Sequence, residues 1–171
     1  MSPEQVEKYK KLGMKVGKNC SFVSPGPNFG SEPYLIEFGN NVTVSFDVAF
    51  VTHDAGTRVL RNLAKTDKEK ETVIYGKIKV GDNCFIGCRT TILPGVTIGE
   101  NVIIGAGSVV NNDIPSNCVA AGIPCKVICS LDEYKKKHEG DFMYMVNMPA
   151  DKKKKFLIDF FNGKKGNGKG K

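Results

Sequence analysis

The side chains of this 171-residue chain that titrate closest to neutral pH are its two histidines, His53 and His138. An imidazole can take the proton of a hydroxyl group while that group attacks a carbonyl carbon. His53 stands in the segment VTHD, and His138 stands in the lysine-rich segment KKKHEG. We interpret His138 as a solvated histidine. The position of His53 alone leaves two alternatives open, a surface residue and a catalytic base.

A second set of reactive side chains consists of six cysteines, at positions 20, 84, 88, 118, 125 and 129. The first residues lack the basic and then apolar layout of a secretory signal, so we expect free thiols rather than disulfides. Two cysteine pairs are spaced by four residues, which is not the CxxC spacing typical of zinc sites. A zinc centre of the histidine type needs about three histidines. We therefore predict no metal site.

The positive charge of the chain is concentrated near its C-terminus. The formal net charge is +7, and residues 135–171 hold eleven lysines against four acidic residues, so residues 1–134 are neutral. A neutral body excludes a globally basic nucleic-acid-binding domain. No apolar run approaches the roughly 20 residues that a membrane-spanning helix needs. We expect a cytoplasmic protein.

A six-residue period organises the middle of the chain. An aliphatic residue recurs at every sixth position, and the residue four places after each one is mostly small or β-branched. Neither an amphipathic helix nor an alternating strand has this period. Three hexads complete one turn of a triangular coil, whose short strands stack about 4.8 Å apart. The aliphatic residues that should form ladders inside it are Ile74, Val80, Ile86, Ile92, Ile98, Ile104 and Val110.

Glycine and asparagine are expected to turn the corners of this coil. Glycine directly follows the aliphatic residue at positions 81, 87, 99 and 105, and asparagine stands at 83 and 101. Both residue types adopt the left-handed backbone conformation more readily than others do. The sequence therefore predicts that these positions have positive φ angles.

The period is interrupted twice, and other patterns flank it. Spacings that do not fit the hexads predict loop excursions at about 28–37 and 54–73. Helical patterns cover Pro3–Leu12, a segment capped by Ser130 that runs to about Lys137, and Pro149–Phe161. The chain thus divides into an N-terminal helix (1–12), a coil domain (13–129), a C-terminal helical segment (130–161) and a disordered basic tail (162–171).

Three runs carry a resemblance to a known family: IGCRTTILPGVTIGENVIIGAGSVV, NDIPSNCVAAGIPCKVI and SEPYLIEFGNNVTVSFDVAFVTHDAGT. They resemble the hexapeptide-repeat acyltransferases, and most closely the coenzyme A-dependent O-acetyltransferases of sugars and bacterial surface polysaccharides. The resemblance covers roughly residues 13–130. It implies a left-handed parallel β-helix that forms homotrimers, with active sites between neighbouring subunits.

The resemblance also implies a role for His53, because VTHD matches the segment that carries the family's general base. The expected reaction is direct transfer of an acetyl group from acetyl-CoA to a hydroxyl group. A backbone N–H near His53 should stabilise the oxyanion. Asp54 is a candidate for orienting His53. We expect no Cys88-linked intermediate, since no second histidine is placed to activate that thiol.

Coenzyme A should lie along the ladders of the coil. The resemblance implies contacts from Cys88, Gly105, Ala106, Asn111, Asn112 and Lys126. Two departures from the family bear on its affinity. Thr-Lys is common where Asn111-Asn112 stand, and Arg is common at Cys129, so Lys126 becomes the main cation for the 3′-phosphate.

The acceptor is expected to be a carbohydrate, as a precursor of a surface polysaccharide or an oligosaccharide. Polar residues in or beside the two excursions are candidates for binding its hydroxyl groups, namely Asn28, Ser31, Glu32, Asp54, Arg58 and Arg61. Two other readings stay open. One is an N-acetyltransferase of antibiotics or amino sugars with the same fold, and the other is a non-enzymatic scaffold.

The lysine-rich C-terminus contains large apolar residues, among them Phe156 and Phe161. A solvated tail and weak association with an anionic membrane surface both fit this composition. No aromatic platform or recognition motif accompanies the lysines, so nucleic-acid binding is not expected.

Overall fold

The computed structural model of the chain describes residues 1–163. They fall into two compact units, Met1–Lys136 and a second unit that begins at Lys137. The strands of the described chain are β1 (Lys15–Val16), β2 (Ser21–Phe22), β3 (Ile36–Phe38), β4 (Thr43–Val44), β5 (Ala49–Phe50), β6 (His53–Asp54), β7 (Ile74–Tyr75), β8 (Ile78–Val80), β9 (Phe85–Ile86), β10 (Thr91–Ile92), β11 (Thr97–Ile98), β12 (Val102–Ile104), β13 (Val109–Val110), β14 (Cys118–Ala121) and β15 (Lys126–Ser130). The helices are α1 (Pro3–Lys11), α2 (Thr57–Asn62), α3 (Asp67–Lys70), α4 (Leu131–His138) and α5 (Ala150–Gly163), with short 3-10 turns at Pro33–Leu35 and Glu139–Asp141.

The first unit is a coil with three sheets. Sheet 1 contains β1, β3, β8 and β11, sheet 2 contains β2, β4, β9, β12 and β14, and sheet 3 contains β5, β10 and β13. Neighbouring strands within these sets are parallel, and from β8 to β13 the register pairs residues that are three hexads apart, such as Thr91 with Val109. From β8 to β13 the chain visits sheets 1, 2 and 3 in that order, twice. The predicted mainly-β coil with three hexads per turn is confirmed.

The aliphatic ladders fill the interior of this coil. From Val80 to Val110 the first residue of every hexad is buried, and so is the fifth residue from Ile78 to Ile114. Ile74 is the exception, with 54% of its surface exposed. It has the right phase but lies in β7, which pairs antiparallel with β6 outside the three sheets. The prediction that Ile74 joins the internal ladder is wrong.

Asparagine and glycine have different roles at the corners of the coil. Asn83 and Asn101 have φ angles of 54° and 55°, as predicted. The four predicted corner glycines are not among the residues with positive φ. They are required by close approach of successive turns, since a Cβ on Gly81 would lie 2.7 Å from the backbone of Gly99.

The first excursion is shorter than predicted. Asn28 forms a parallel bridge with Ala49, and Phe29 is buried among Phe22, Phe38 and Phe50. Residues 36 and 37 belong to β3 and pair with sheet neighbours. Only residues 30–35 leave the coil, because burial of an aromatic ring holds the chain in the sheet register.

The second excursion is closed at its base by the antiparallel pair β6–β7 and contains α2 and α3. At the C-terminal end of the coil, β15 runs antiparallel to β14. The parallel pairing of the coil therefore ends at Ala121.

The terminal helices lie close to their predicted positions. Ser2 caps α1 through its side chain, and the Ser130 hydroxyl accepts a hydrogen bond from the Glu133 N–H at 3.1 Å at the start of α4. Asn162 and Gly163 are part of α5, so the predicted disorder is wrong for those two residues. The remaining residues of the predicted tail, 164–171, lie outside the described chain. None of the helices within residues 1–163 combines the length and apolar character needed to cross a membrane.

Candidate active site

His53 lies in β6, where the chain leaves the coil for the second excursion. Pairing of β6 with β7 places its ring beside Tyr75, with the ring centroids 5.9 Å apart in an edge-on arrangement. The His53 side chain is 36% exposed. A titratable ring that is held on one side and open on the other can exchange a proton with a bound molecule.

Glu32 holds the other side of the His53 ring. Its Oε2 lies 2.9 Å from His53 Nδ1 and accepts a hydrogen bond of 2.6 Å from the Thr52 hydroxyl. The Glu32 side chain is only 12% exposed. The hydrogen bonds from Thr52 and then from His53 lower the pKa of the Glu32 carboxyl below its ordinary value. Glu32 is therefore a carboxylate at neutral pH.

This pair fixes the tautomer of His53. A carboxylate only accepts hydrogen bonds, so His53 Nδ1 must carry the hydrogen between the two groups. The lone pair of the neutral imidazole is then on Nε2. Glu32 also stabilises the imidazolium that forms when Nε2 takes a proton. An imidazole held in this way can accept a proton at Nε2.

The structure corrects one prediction about this pair and gives Glu32 a contact that was not predicted. Asp54 does not orient His53, because its Oδ1 instead accepts the backbone N–H of Gly56 at 2.8 Å. Glu32, predicted to bind the acceptor, is the partner of His53. Both excursions leave the coil at the same corner, after the strand position of sheet 3 and before the next strand of sheet 1. Counting hexads across both interruptions is the sequence signal that could have found the contact.

A cleft of about 450 Å³ opens beside His53. It brings together five of the six predicted acceptor residues, and Tyr75 and Val73 complete its wall with small residues of the second excursion. Asn28 is not among its lining residues, since its side chain accepts the Gly30 N–H at 2.9 Å. The predicted residues that line the cleft are Ser31, Glu32, Asp54, Arg58 and Arg61.

One nitrogen atom in this wall lacks a hydrogen-bond partner in the described chain. Arg61 Nε is buried and has no hydrogen-bond partner among residues 1–163. A buried donor that is left unpaired costs about 1–3 kcal/mol, and more when it is charged. A hydrogen-bond acceptor that reached this Nε would remove that cost.

The residues predicted to bind coenzyme A border the face of sheet 3. Cys88 and Ala106 lie in successive turns at the corner between sheets 2 and 3, where Gly107 N–H donates to Cys88 O at 2.8 Å. A Cβ on Gly105 would lie 2.7 Å from Ala121 Cβ, so the turns stack closely there. Asn111 and Asn112 follow β13 and are exposed.

Lys126 is exposed at the start of β15, next to Cys125, whose N–H donates to Val109 O at 2.8 Å. The six cysteines are all free thiols. Burial raises the pKa of three of them, Cys84, Cys118 and Cys125, so these thiols stay protonated near neutral pH. They act as small core residues.

Known proteins that are similar to this chain belong to one family. The family model "Bacterial transferase hexapeptide (six repeats)" matches residues 77–112. Protein CapG of Staphylococcus aureus is 42% identical over 91% of this chain and 88% of its own length. The galactoside O-acetyltransferase of Escherichia coli strain K12 is 37% identical over 80% of this chain and 75% of its own length.

A solved structure of galactoside acetyltransferase in complex with coenzyme A is also similar. It superimposes with a TM-score of 0.53 at 28% sequence identity, and the match covers 86% of this chain and 79% of the other. The similarity thus extends over most of this chain.

Proposed function

The chain belongs to the hexapeptide-repeat acetyltransferase family, and from this premise we propose that it moves the acetyl group of acetyl-CoA to a hydroxyl group of a sugar. That it is an acyltransferase follows from the family. The sugar acceptor is supported by the galactoside O-acetyltransferases among its relatives and by the polar lining of the cleft. The observation that carries the proposal is the contact between His53 and Glu32 at the edge of that cleft.

In the proposed reaction His53 is the general base. Its Nε2 takes the proton of the acceptor hydroxyl while the hydroxyl oxygen forms a bond to the thioester carbonyl carbon. The carbon–sulfur bond then breaks, the acetyl ester is released, and the imidazolium returns its proton to the leaving thiolate to give CoA thiol. Glu32 stabilises the imidazolium between the two proton transfers. No covalent intermediate with the protein is required.

The donor substrate is proposed to lie beside sheet 3, in contact with Cys88, Gly105, Ala106, Asn111, Asn112 and Lys126. The family supports this placement, and the absence of a side chain at Gly105 lets the backbone approach an extended pantetheine chain. Exposed Lys126 is suited to the 3′-phosphate. Since acetyl-CoA is a cytoplasmic metabolite, the proposal places catalysis in the cytoplasm.

We further propose that the coil is left-handed and that three chains assemble, with each site completed by a neighbouring subunit. The family supports both points. The open side of His53 is consistent with a site that a second chain closes. Sedimentation of the purified protein gives the mass of the assembly, and a monomeric mass would contradict this part of the proposal.

The second unit is proposed to associate weakly with anionic membrane surfaces. Residues 137–163 include no buried residue, although they contain large apolar side chains such as Tyr144 and Val146. A cavity of about 610 Å³ in this unit is lined largely by Phe, Met and Tyr side chains. Lys152–Lys155 precede the apolar part of α5. Apolar side chains beside lysines are typical of helices that lie in the membrane interface.

Anionic lipid is favoured over a second copy as the cover for these residues, because residues 135–171 carry a net charge of +7 and two copies would repel each other. Sedimentation with vesicles of phosphatidylglycerol and of phosphatidylcholine tests this. The protein should bind only the anionic vesicles and be released by salt. Replacement of Lys152–Lys155 by glutamine should weaken binding, and equal binding to both lipids would contradict the proposal.

The function itself is tested by CoA release with a panel of hexoses, disaccharides and amino sugars. Alkaline hydroxylamine cleaves acetyl esters but not acetyl amides, so the product separates O-transfer from N-transfer. We expect an ester whose formation depends on His53. An amide product would favour the amino-sugar alternative. Failure of acetyl-CoA to bind, seen as an unchanged melting temperature with excess ligand, would favour the non-enzymatic scaffold.

A further inference from the structure

The unpaired Arg61 bears on the identity of the acceptor. Arg61 and Arg58 lie in α2 of the second excursion, and both line the cleft that His53 borders. The guanidinium group stays charged at every pH at which proteins fold. None of the salt bridges within residues 1–163 involves an arginine.

The carboxylates of the cleft are already engaged elsewhere. Glu32 accepts hydrogen bonds from Thr52 and His53, and Asp54 accepts the N–H of Gly56. Moving either carboxylate to Arg61 would break one of these contacts. Neither carboxylate of the cleft wall forms an ion pair with Arg61 in the described chain, and its buried Nε has no acceptor.

A neutral sugar would not compensate this charge. Hydroxyl groups can accept the Nε–H hydrogen bond, but the planar guanidinium pairs most strongly with a carboxylate or a phosphate, often through two parallel hydrogen bonds. The volume of the cleft, about 450 Å³, is within the range for a small ligand such as one sugar ring with a charged substituent.

We infer that the acceptor sugar carries an anionic group, a carboxylate or a phosphate, which Arg61 binds with the help of Arg58. This inference rests on the proposed function and narrows its substrate class. The anionic group would be held on the excursion side of the cleft and would orient the reacting hydroxyl toward His53. Arg58 and Arg61 are thus specificity residues and take no part in the proton transfers.

The test uses three acceptors with the same ring stereochemistry: galactose, galacturonic acid and galactose 1-phosphate. The measured quantity is the ratio of kcat/KM for each anionic sugar to kcat/KM for galactose. In the wild-type protein we expect a ratio of ten or more for the carboxylate or the phosphate, and the two arms identify which anion the site takes. In Arg61→Gln the ratio should fall about ten- to a hundredfold, chiefly through KM.

Arg89→Gln is the matched control, because Arg89 lies at another corner of the coil and does not line the cleft. It should keep the wild-type ratio. A ratio near one in the wild-type protein would overturn the inference. So would an unchanged ratio in Arg61→Gln together with a changed oligomeric mass, which would assign Arg61 to a carboxylate of a neighbouring chain.

Equilibrium binding separates this inference from the proposed function. Isothermal titration of galacturonic acid and galactose 1-phosphate into the protein requires no turnover. Binding of one of them that weakens in Arg61→Gln, in a protein that acetylates none of these three sugars and none of the panel above, would retain the anion site and reject the O-acetyltransferase. Turnover of galactose without any preference for the anionic sugars would retain the O-acetyltransferase and reject the anion site.

Discussion

The regular coil and the two excursions differ in what their residues do. In the coil, each hexad repeats the task of the one before it, and Ile86, Ile92 and Ile104 are completely buried. In the excursions no position repeats, and the side chains proposed to take part in the reaction or in acceptor binding are at least partly exposed, among them His53, Arg58 and Arg61. The repeat thus builds the packed coil, whereas its interruptions hold the residues of the proposed site.

Both excursions leave the coil at the same corner, which brings their side chains together. Glu32 and His53 are distant in the sequence, yet their side chains meet at 2.9 Å because both excursions leave the coil between sheets 3 and 1. Removing excursion side chains should therefore affect turnover, and removing coil residues should affect stability.

The largest expected effect is on turnover in His53→Ala. Loss of the general base should lower kcat by roughly 10²–10⁴-fold. The melting temperature should change little, because the ring is partly exposed and lies outside the three sheets. CoA release and thermal unfolding measure the two quantities. His138→Ala is the control and should retain wild-type turnover, and a similar loss there would remove the distinction between the two histidines.

Glu32→Gln should lower kcat by about ten- to a hundredfold, because a neutral amide cannot stabilise the imidazolium as the carboxylate does. The amide keeps the shape of the side chain, so acetyl-CoA binding should persist. Steady-state kinetics with saturating acetyl-CoA measures the effect. Asp54→Asn serves for comparison. A larger loss in Asp54→Asn than in Glu32→Gln would contradict the assignment of Glu32 as the orienting residue.

Gly81→Ala should lower the stability of the coil without changing turnover. The added Cβ would lie 2.7 Å from the backbone of Gly99, so the turns must separate at a cost of about 1–3 kcal/mol in the free energy of unfolding. Urea unfolding followed by circular dichroism measures this, while kcat per folded molecule should be unchanged. Gly140→Ala meets no atom within 4 Å and is the control. Equal stability of the two variants would contradict the close-approach explanation.

Asn101→Ala should lower the free energy of unfolding by roughly 1–2 kcal/mol, because alanine is strained in the left-handed conformation. Asn101 has a φ angle of 55°, and its side chain accepts from Asn83 at 2.8 Å and donates to Asn117 at 2.9 Å. Asn101→Gly removes these hydrogen bonds without the strain and should cost less in the same urea titration. If glycine is as destabilising as alanine, the ladder of hydrogen bonds dominates and the backbone conformation does not.

The smallest expected effect is on acid stability. The pKa of Glu32 is lowered in the folded chain, so its contribution to stability is present above the unfolded value near 4.5 and is lost as the pH falls through the lower folded value. The difference in melting temperature between the wild-type protein and Glu32→Gln should therefore shrink as the pH falls below 4.5. A difference that grows toward low pH would contradict the direction of this pKa shift.

The hexad period makes the coil predictable, because strand pairing every three hexads follows directly from the spacing of aliphatic residues. His53 is predicted to be the general base through the match of its segment, VTHD, to the family. The contact between Glu32 and His53 was not predicted, since the period can place both excursions at one corner of the coil but does not show which of their side chains meet. The glycines lie at the corners as predicted, but they are needed for close approach of the turns and not for a positive φ angle. The spacing of residues in the sequence does not distinguish these two causes. Ile74 fits the six-residue period but lies outside the coil, so the period alone does not show that a residue belongs to it.

The central claim, that Glu32 acts through His53 as one unit, is tested most directly by a double-mutant cycle in kcat/KM. The four proteins are the wild type, His53→Ala, Glu32→Gln and the double variant. If Glu32 only orients and stabilises His53, the double variant should be as slow as His53→Ala alone. If Glu32→Gln lowers the rate of His53→Ala by the same factor as it lowers the wild-type rate, the two residues act independently and the account is wrong.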